Sequence, residues 1–246
     1  MFKNILFSIV MLFCLSANSC KRVLHKVSTN HTSYQIKGNS AMVDKEVEDL
    51  IRPYKTDLDL VMNEVLGVSM QDMPKRKPES LLGNWMADAI QEHAEKTLGK
   101  QISFAVQNYG GIRIPIINKG PITRGKIFEL MPFDNTIEVL NLDGKQVETF
   151  IRHMLERNGW PVSHSLRVKY LNGILDVEIN EESLDYSKEY LVAVPDYIAN
   201  GGSDCNFLLG TEREILNALI RNVLVDYVKN KGNLDPKIEG RFVIKN

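Results

Sequence analysis

Residues 101–113 read QISFAVQNYGGIR, an apolar strand pattern from Gln101 to Val106 that runs straight into Asn108-Tyr109-Gly110-Gly111-Ile112-Arg113. A strand emptying into a glycine-paired loop puts backbone and side chains at the end of a sheet, where binding sites are commonly carried. Immediately upstream, about Glu79 to Leu98 has helical spacing and follows the basic, proline-flanked loop MPKRKPES. Further back, Val47, Leu50, Ile51, Tyr54, Leu58, Val61 and Val65 recur at three-and-four spacing, which predicts an amphipathic helix over Val43 to Leu66, kinked or split at Pro53.

Downstream, Thr123 caps an expected short helix through Leu130 that stops at Pro132. A strand over Thr136 to Leu142 turns at Asp143-Gly144 into a helix over roughly Lys145 to Arg157. Leu166 to Tyr170 and Ile174 to Ile179 flank Leu171-Asn172-Gly173 as a hairpin, and Tyr190 to Val194 is a further strand. After Ala-Asn-Gly-Gly-Ser-Asp at 199–204, a long helix is expected from Glu212 to Lys229 and a last strand at Arg241 to Ile244. Hairpins argue against a purely parallel sheet, so the expected fold class is α+β: mixed α/β sheets flanked by helices, in one domain over 43–246.

The chain has 246 residues, 43% apolar and 25% charged, which supports a full hydrophobic core and excludes disorder or a disulfide scaffold. Thirty Lys and Arg against 31 Asp and Glu leave no positive field for a phosphate backbone, so no nucleic acid is expected as a partner. At the start, Lys3 precedes an 11-residue uncharged run, Ile5 to Leu15, then Ser16, Ala17, Asn18, Ser19 and Cys20. This is too short to span a bilayer, which takes about 20 apolar residues, and it reads as a secretory signal. With Cys20 at the cleavage point, residues 1–19 resemble a bacterial lipoprotein signal. Ala17 and Asn18 stand where Leu and a small residue are usual. The expectation is an acylated Cys20, a polar tether over 20–42, and a lipid-anchored place in the bacterial cell envelope, periplasmic or surface-facing; a plain secreted protein is the alternative.

No His-Glu-x-x-His or Asp-x-His occurs, and the five histidines read as solvated or capping, so neither a metal site nor a cofactor is expected in this chain. Serine elbows, Cys-His pairs with local support, Walker loops and dinucleotide fingerprints are also missing from the sequence. Binding-type residues remain: Arg76 in the basic loop, Asn108 and Arg113 on the glycine loop, Phe133 and Asn135 after Pro132, Tyr197 and Asp204 near the second glycine pair. Aromatic faces stack bases, and the guanidinium fork matches phosphate oxygens. Each also fits a plainer role: Phe133 and Tyr197 as core, Arg113 as a surface charge.

Four motifs in order carry a resemblance: Glu79-x-x-x-Gly83-Asn84-x-x-x-Asp88, Asn108-Tyr109-Gly110-Gly111-Ile112-Arg113, Met131-Pro132-Phe133-Asp134-Asn135, and Pro195-Asp196-Tyr197-Ile198-Ala199-Asn200-Gly201-Gly202. Over about 43–246 the chain resembles the C-terminal, substrate-binding domain of the 5'-nucleotidase and UDP-sugar hydrolase family. The resemblance implies that Phe133 and Tyr197 sandwich a base, that Asn135 reaches a base edge, and that Asn108, Arg113 and Arg76 hold the ribose and phosphate side, with Gly110 and Gly111 in the loop they share. Ser203 stands in the place of the family's ribose-binding aspartate and Asp204 is displaced by one; Tyr109 replaces a glycine.

In that family hydrolysis belongs to a separate N-terminal metallophosphoesterase domain with two metals. Only 22 residues separate Cys20 from Val43. The resemblance therefore implies a binding subunit of a split 5'-nucleotidase, hydrolytically inactive alone, with a metallophosphoesterase chain as partner. A free-standing nucleotide-binding lipoprotein and a scaffold with a degenerate pocket are the alternatives.

Overall fold

The computed structural model describes residues 44–245, so the signal, Cys20 and the whole tether lie outside the described residues. Contacts divide the chain into 1–48 and 49–246. Helix α1 (Lys45–Met62) keeps Pro53 inside one helix, so of the expected kink or split at that residue the split does not occur. None of its residues is buried. It stops at Met62 rather than Leu66 because Val65–Ser69 is taken up as strand β1.

Strand β1 is followed by β2 (Met73–Pro74) and then by helix α2 (Leu81–Leu98), whose Ser80 hydroxyl accepts from the Gly83 amide and fixes its start. Next come β3 (Phe104–Ala105), a 3₁₀ turn at Tyr109–Gly111, β4 (Ile116–Ile117), β5 (Gly120–Thr123) and α3 (Arg124–Leu130), capped by Thr123 as the sequence predicts. Strand β6 (Thr136–Asp143) turns into α4 (Gly144–Glu156) through a capping box between Asp143 and Gln146. The hairpin β7 (Leu166–Leu171) and β8 (Ile174–Ile179) falls where expected; β9 (Glu182–Ser183) and β10 (Glu189–Pro195) follow. A four-residue helix α5 (Asp196–Ala199) leads to 3₁₀ turns at Gly202–Asp204 and Asn206–Leu208.

The expected helix over Glu212 to Lys229 is two elements: strand β11 (Arg213–Leu219) and helix α6 (Ile220–Lys231). Residues such as Glu, Leu and Ala favour a helix locally, but β6 offers an unpaired edge, and Arg213, Glu214 and Ile215 pair with Leu140, Val139 and Glu138. Tertiary pairing overrides local propensity here. Short β12 (Asn233–Leu234) and β13 (Phe242–Lys245) close the chain.

Four sheets result, with strand orders β12-β1-β5, β11-β6-β10-β3, β13-β7-β8-β9 and β2-β4. The second is central because both its faces are apolar. Ile137 and Val139 of β6 join Ala193 of β10 and Ala105 of β3 in a core with α2, α3 and α6. Leu140, Leu142, Val192, Val194 and Phe104 face a second core with α4 and β7. The period of two along each strand separates the sets. These mixed sheets flanked by helices are the α+β architecture the sequence implies.

The first family motif binds the chain end to α2. Glu79 accepts from the amides of Glu239 and Arg241 at 2.9 and 3.1 Å and from Asn84 Nδ2 at 2.8 Å. Arg241, 4% exposed, forks onto both oxygens of Asp88 at 2.8 and 2.9 Å. His164 gives Asp88 its backbone amide at 2.9 Å, with its ring Nδ1 at 3.2 Å. Desolvation pushes the Asp88 carboxyl up, but donors from His164 and Arg241 outweigh it and hold it below the usual carboxylate range.

Candidate functional site

Strands β3 and β10 are parallel neighbours, so the loops after Ala105 and Pro195 leave the sheet side by side. Strand β6 is antiparallel to β10, with Ile137 opposite Pro195, so the segment entering β6 arrives at the same edge. Three of the four motifs thereby meet beyond the carboxyl ends of a parallel pair, the position at which open sheets place ligand crevices. Asn108, Gly110, Gly111, Arg113, Phe133, Asp134, Asn135, Tyr197 and Ser203 line a cleft there of about 450 Å³.

Each wall has a local cause. Helix α3 ends at Leu130, and Met131, 1% exposed, takes the core position, which leaves Phe133 beyond Pro132 at 38% exposure. In α5, Ile198 and Ala199 are buried while Tyr197 is 48% exposed. Both aromatics therefore belong to the cleft and not to the core. The Asp196 carboxylate accepts from Asn135 Nδ2 and from the Tyr197 amide, each at 2.7 Å, tying the second and third loops together. Behind the third loop, Arg213 donates to buried Glu138 at 2.9 Å and to the Ala199 carbonyl at 3.1 Å.

The first loop is rigid by burial. Asn108 is 6% exposed and its backbone carbonyl accepts from the Gly111 amide at 3.0 Å. A side chain at Gly111 would push aside the amide ends of Gln107 and Asn108 packed against it. At Gly202 an added Cβ would lie 2.6 Å from two ring carbons of Tyr197.

Arg113 is exposed, with its guanidinium carbon 5.5 Å from the Phe133 ring centroid, a cation–π arrangement. Among the described residues it has no ion-pair partner, whereas Asp134 in the same lining is held by Arg221 at 2.8 Å. Beside it, Lys75 lies 3.9 Å over the Tyr109 ring and donates to the Ile112 carbonyl at 2.7 Å. Burial, then the charges of Arg113 and Lys77, hold Lys75 below its ordinary value. Lys77 stands 4.6 Å from the centroid of the same Tyr109 ring, so this tyrosine is clasped by two cations and is not part of the cleft lining.

Of the residues singled out in the sequence, seven line the cleft: Asn108, Gly110, Gly111, Arg113, Phe133, Asn135 and Tyr197. Arg76 and Asp204 are not among its lining residues. Arg76 is exposed on its loop while its neighbours Lys75 and Lys77 turn toward Tyr109. The Asp204 carboxylate is drawn to Arg157 at 2.8 Å. Sequence reasoning missed Asp134 in the lining and the Arg157 side chain that draws Asp204 away, and flagged Ser203 only as the residue in the place of a ribose-binding aspartate. Cys205, free and buried, has its thiol pushed up to about 12 by desolvation, which makes it an inert packing residue.

Residues 64–209 match the model of the 5'-nucleotidase C-terminal domain. The chain belongs to that family. It is 30% identical over 220 residues to the trifunctional nucleotide phosphoesterase protein YfkN of Bacillus subtilis (strain 168), covering 80% of this chain and 15% of that protein. With the snake venom 5'-nucleotidase of Crotalus adamanteus it shares 23% identity over 245 residues, 84% of this chain and 42% of the relative. The chain thus spans less than half the length of these relatives. Among solved structures, the 5'-nucleotidase precursor of Thermus thermophilus superposes with a TM-score of 0.70 at 27% identity, over 85% of this chain and 45% of the other. The family's mixed α/β fold and the observed one agree.

Among the described residues no group of three His, Cys, Asp or Glu side chains stands close enough to hold an ion. The cleft's own chemistry is stacking, hydrogen bonding and one unpaired guanidinium.

Proposed function

We propose that this chain binds nucleosides or nucleotides in the cleft and presents them to a metallophosphoesterase on a separate chain, as the binding subunit of a split 5'-nucleotidase in nucleotide catabolism. The observation that carries the reading is the pairing of two exposed aromatic rings, Phe133 and Tyr197, with the uncompensated charge of Arg113 in one cleft. A purine or pyrimidine offers flat faces to the rings, and a phosphate accepts the planar fork. Asn135 and Asn108 add neutral polar groups for base or sugar edges. Phosphate-ester hydrolysis needs an activated water and stabilisation of charge on the transferring group. Arg113 supplies part of the second and the described residues supply no metal-activated water, so this chain contributes orientation of the substrate. The same proposal places the protein on the bacterial envelope, with residues 1–19 removed and Cys20 acylated; one acyl chain gives only marginal anchoring, and lipoproteins carry several.

Calorimetric titration with adenosine, AMP, UMP and UDP-glucose tests the binding half. Phe133→Ala and Tyr197→Ala should each weaken binding on the order of tenfold, because stacking is worth about 1–3 kcal/mol per base. Wild-type affinity in both variants would reject the assigned roles.

A further inference from the structure

The Ser203 peptide is gripped from both ends. Its N–H donates to the Tyr197 hydroxyl at 3.2 Å, and its carbonyl stands 2.9 Å from His153 Nε2. Ser203 and Asp204 both have positive φ, 55° and 63°, a left-handed pair that non-glycine residues seldom adopt without external support. His153 itself is outside the cleft, on α4. Because a carbonyl only accepts, its proton must sit on Nε2; Nδ1 is then a bare acceptor, and Arg157 Nη1 fills it at 3.2 Å. The same guanidinium holds Asp204 at 2.8 Å. One neutral imidazole therefore reaches Ser203 directly and Asp204 through Arg157, fixing both residues of the strained turn.

We propose that His153 is a positioning residue for the Tyr197 wall of the cleft, and that its protonation loosens the Ser203–Asp204 turn and weakens ligand binding. A proton on Nδ1 would place a second donor and a second positive charge against Arg157. Arg157 must then leave the ring, and its bond to Asp204 goes with it. The groups facing His153 are Arg157 and Glu156 from its own helix and its end, Asp204 and Cys205 from the loop, and the Trp160 and Phe207 rings with centroids 5.5 and 5.1 Å away. Desolvation first, then Arg157, holds the imidazole below its ordinary value, against the raising influence of the Ser203 carbonyl, Glu156 and Asp204. The turn is thus locked at neutral pH and opens on acidification.

The ligand arm of the test rests on the proposed nucleotide cleft; the structural arm does not. The full chain, labelled with ¹⁵N, is followed by NMR from about pH 8 to about pH 5, the range in which histidine titrates. His153 should show the Nε2–H tautomer at pH 8, and the Ser203 and Asp204 amides should shift in step with its protonation. In His153→Gln, whose amide can still donate to the Ser203 carbonyl but does not titrate, those two amides should stay still. Adenosine is the ligand probe, since it carries no phosphate to titrate. Its affinity should fall about fivefold on acidification in the wild type, the equivalent of one hydrogen bond, and remain flat in His153→Gln. An Nδ1–H tautomer, stationary loop amides while the ring titrates, or a wild-type pH profile in His153→Gln would each overturn the proposal. Loop amides that follow His153 without adenosine binding at any pH would uphold the positioning role of His153 on the turn and overturn the nucleoside part of the reading of the cleft.

Discussion

The four family motifs fall into two regions that use polar residues in opposite ways. Around Asp88, every strong group is consumed internally: Glu79 accepts three bonds, and Arg241 is buried and forked onto Asp88. Around the cleft, the aromatic faces are open and Arg113 has no anionic partner among the described residues. A satisfied network ties secondary elements together, whereas exposed rings and an unpaired cation hold binding capacity in reserve. Motif residues of one family thus divide into those that hold the fold and those that meet a ligand, and burial with partner count tells them apart.

The contrast is open to attack at several points. The largest effect is expected from Arg241→Ala. It leaves Asp88 without its buried partner and Glu239 without its ion pair, and breaking such a buried pair typically costs about 3–5 kcal/mol; the urea midpoint should drop accordingly. A variant that folds with wild-type stability would show that the Asp88 network is incidental. Phe133→Ala should do the reverse, with about tenfold weaker AMP binding from lost stacking and a change in stability within about 0.5 kcal/mol, as for most exposed positions.

Arg113→Ala sharpens the cleft side further. The gain in affinity of AMP over adenosine should shrink, because the guanidinium serves the phosphate, while adenosine binding should change little. Comparable losses for both ligands by calorimetry would move Arg113 from the phosphate to the base or the Phe133 face.

The smallest effect concerns pH and the network. Contact with the Asp88 carboxylate raises His164, so its contribution is present in full below the ordinary histidine value and is lost as pH rises through its higher folded value. Asp88 is held low, so its contribution is present above the ordinary carboxylate value and is lost as pH falls through its depressed folded value. Between these limits lies a shallow stability maximum, which His164→Gln should flatten on the alkaline side. An unchanged pH profile in that variant would remove His164 from the network.

The parts of this division visible in the sequence were those with local chemistry. Glycine pairs, the proline before Phe133 and the strand before Asn108 each act over a few residues, and they located the three cleft loops. Thr123 and the Asp143-Gly144 turn announced helix starts for the same reason. What stayed hidden depends on distant partners. Arg213 to Leu219 has helix-compatible residues and becomes a strand only because β6 lies open beside it. Asp204 turns from the cleft because Arg157, 47 positions earlier, attracts it. His153 read as a helical surface residue because nothing in its own helix shows the Ser203 carbonyl it would reach.

The central claim is that fold and binding are carried by separate motif residues, and one paired measurement tests it. AMP affinity and the urea midpoint are determined on the same preparations of wild type, Phe133→Ala/Tyr197→Ala and Asp88→Asn. The account predicts that the aromatic double variant loses on the order of a hundredfold or more in affinity with a midpoint lowered only by the one hydrogen bond that Tyr197 accepts from the Ser203 amide, while Asp88→Asn lowers the midpoint further and, wherever it remains folded, binds AMP as the wild type does. A double aromatic variant that unfolds early while its folded fraction binds AMP normally would contradict it.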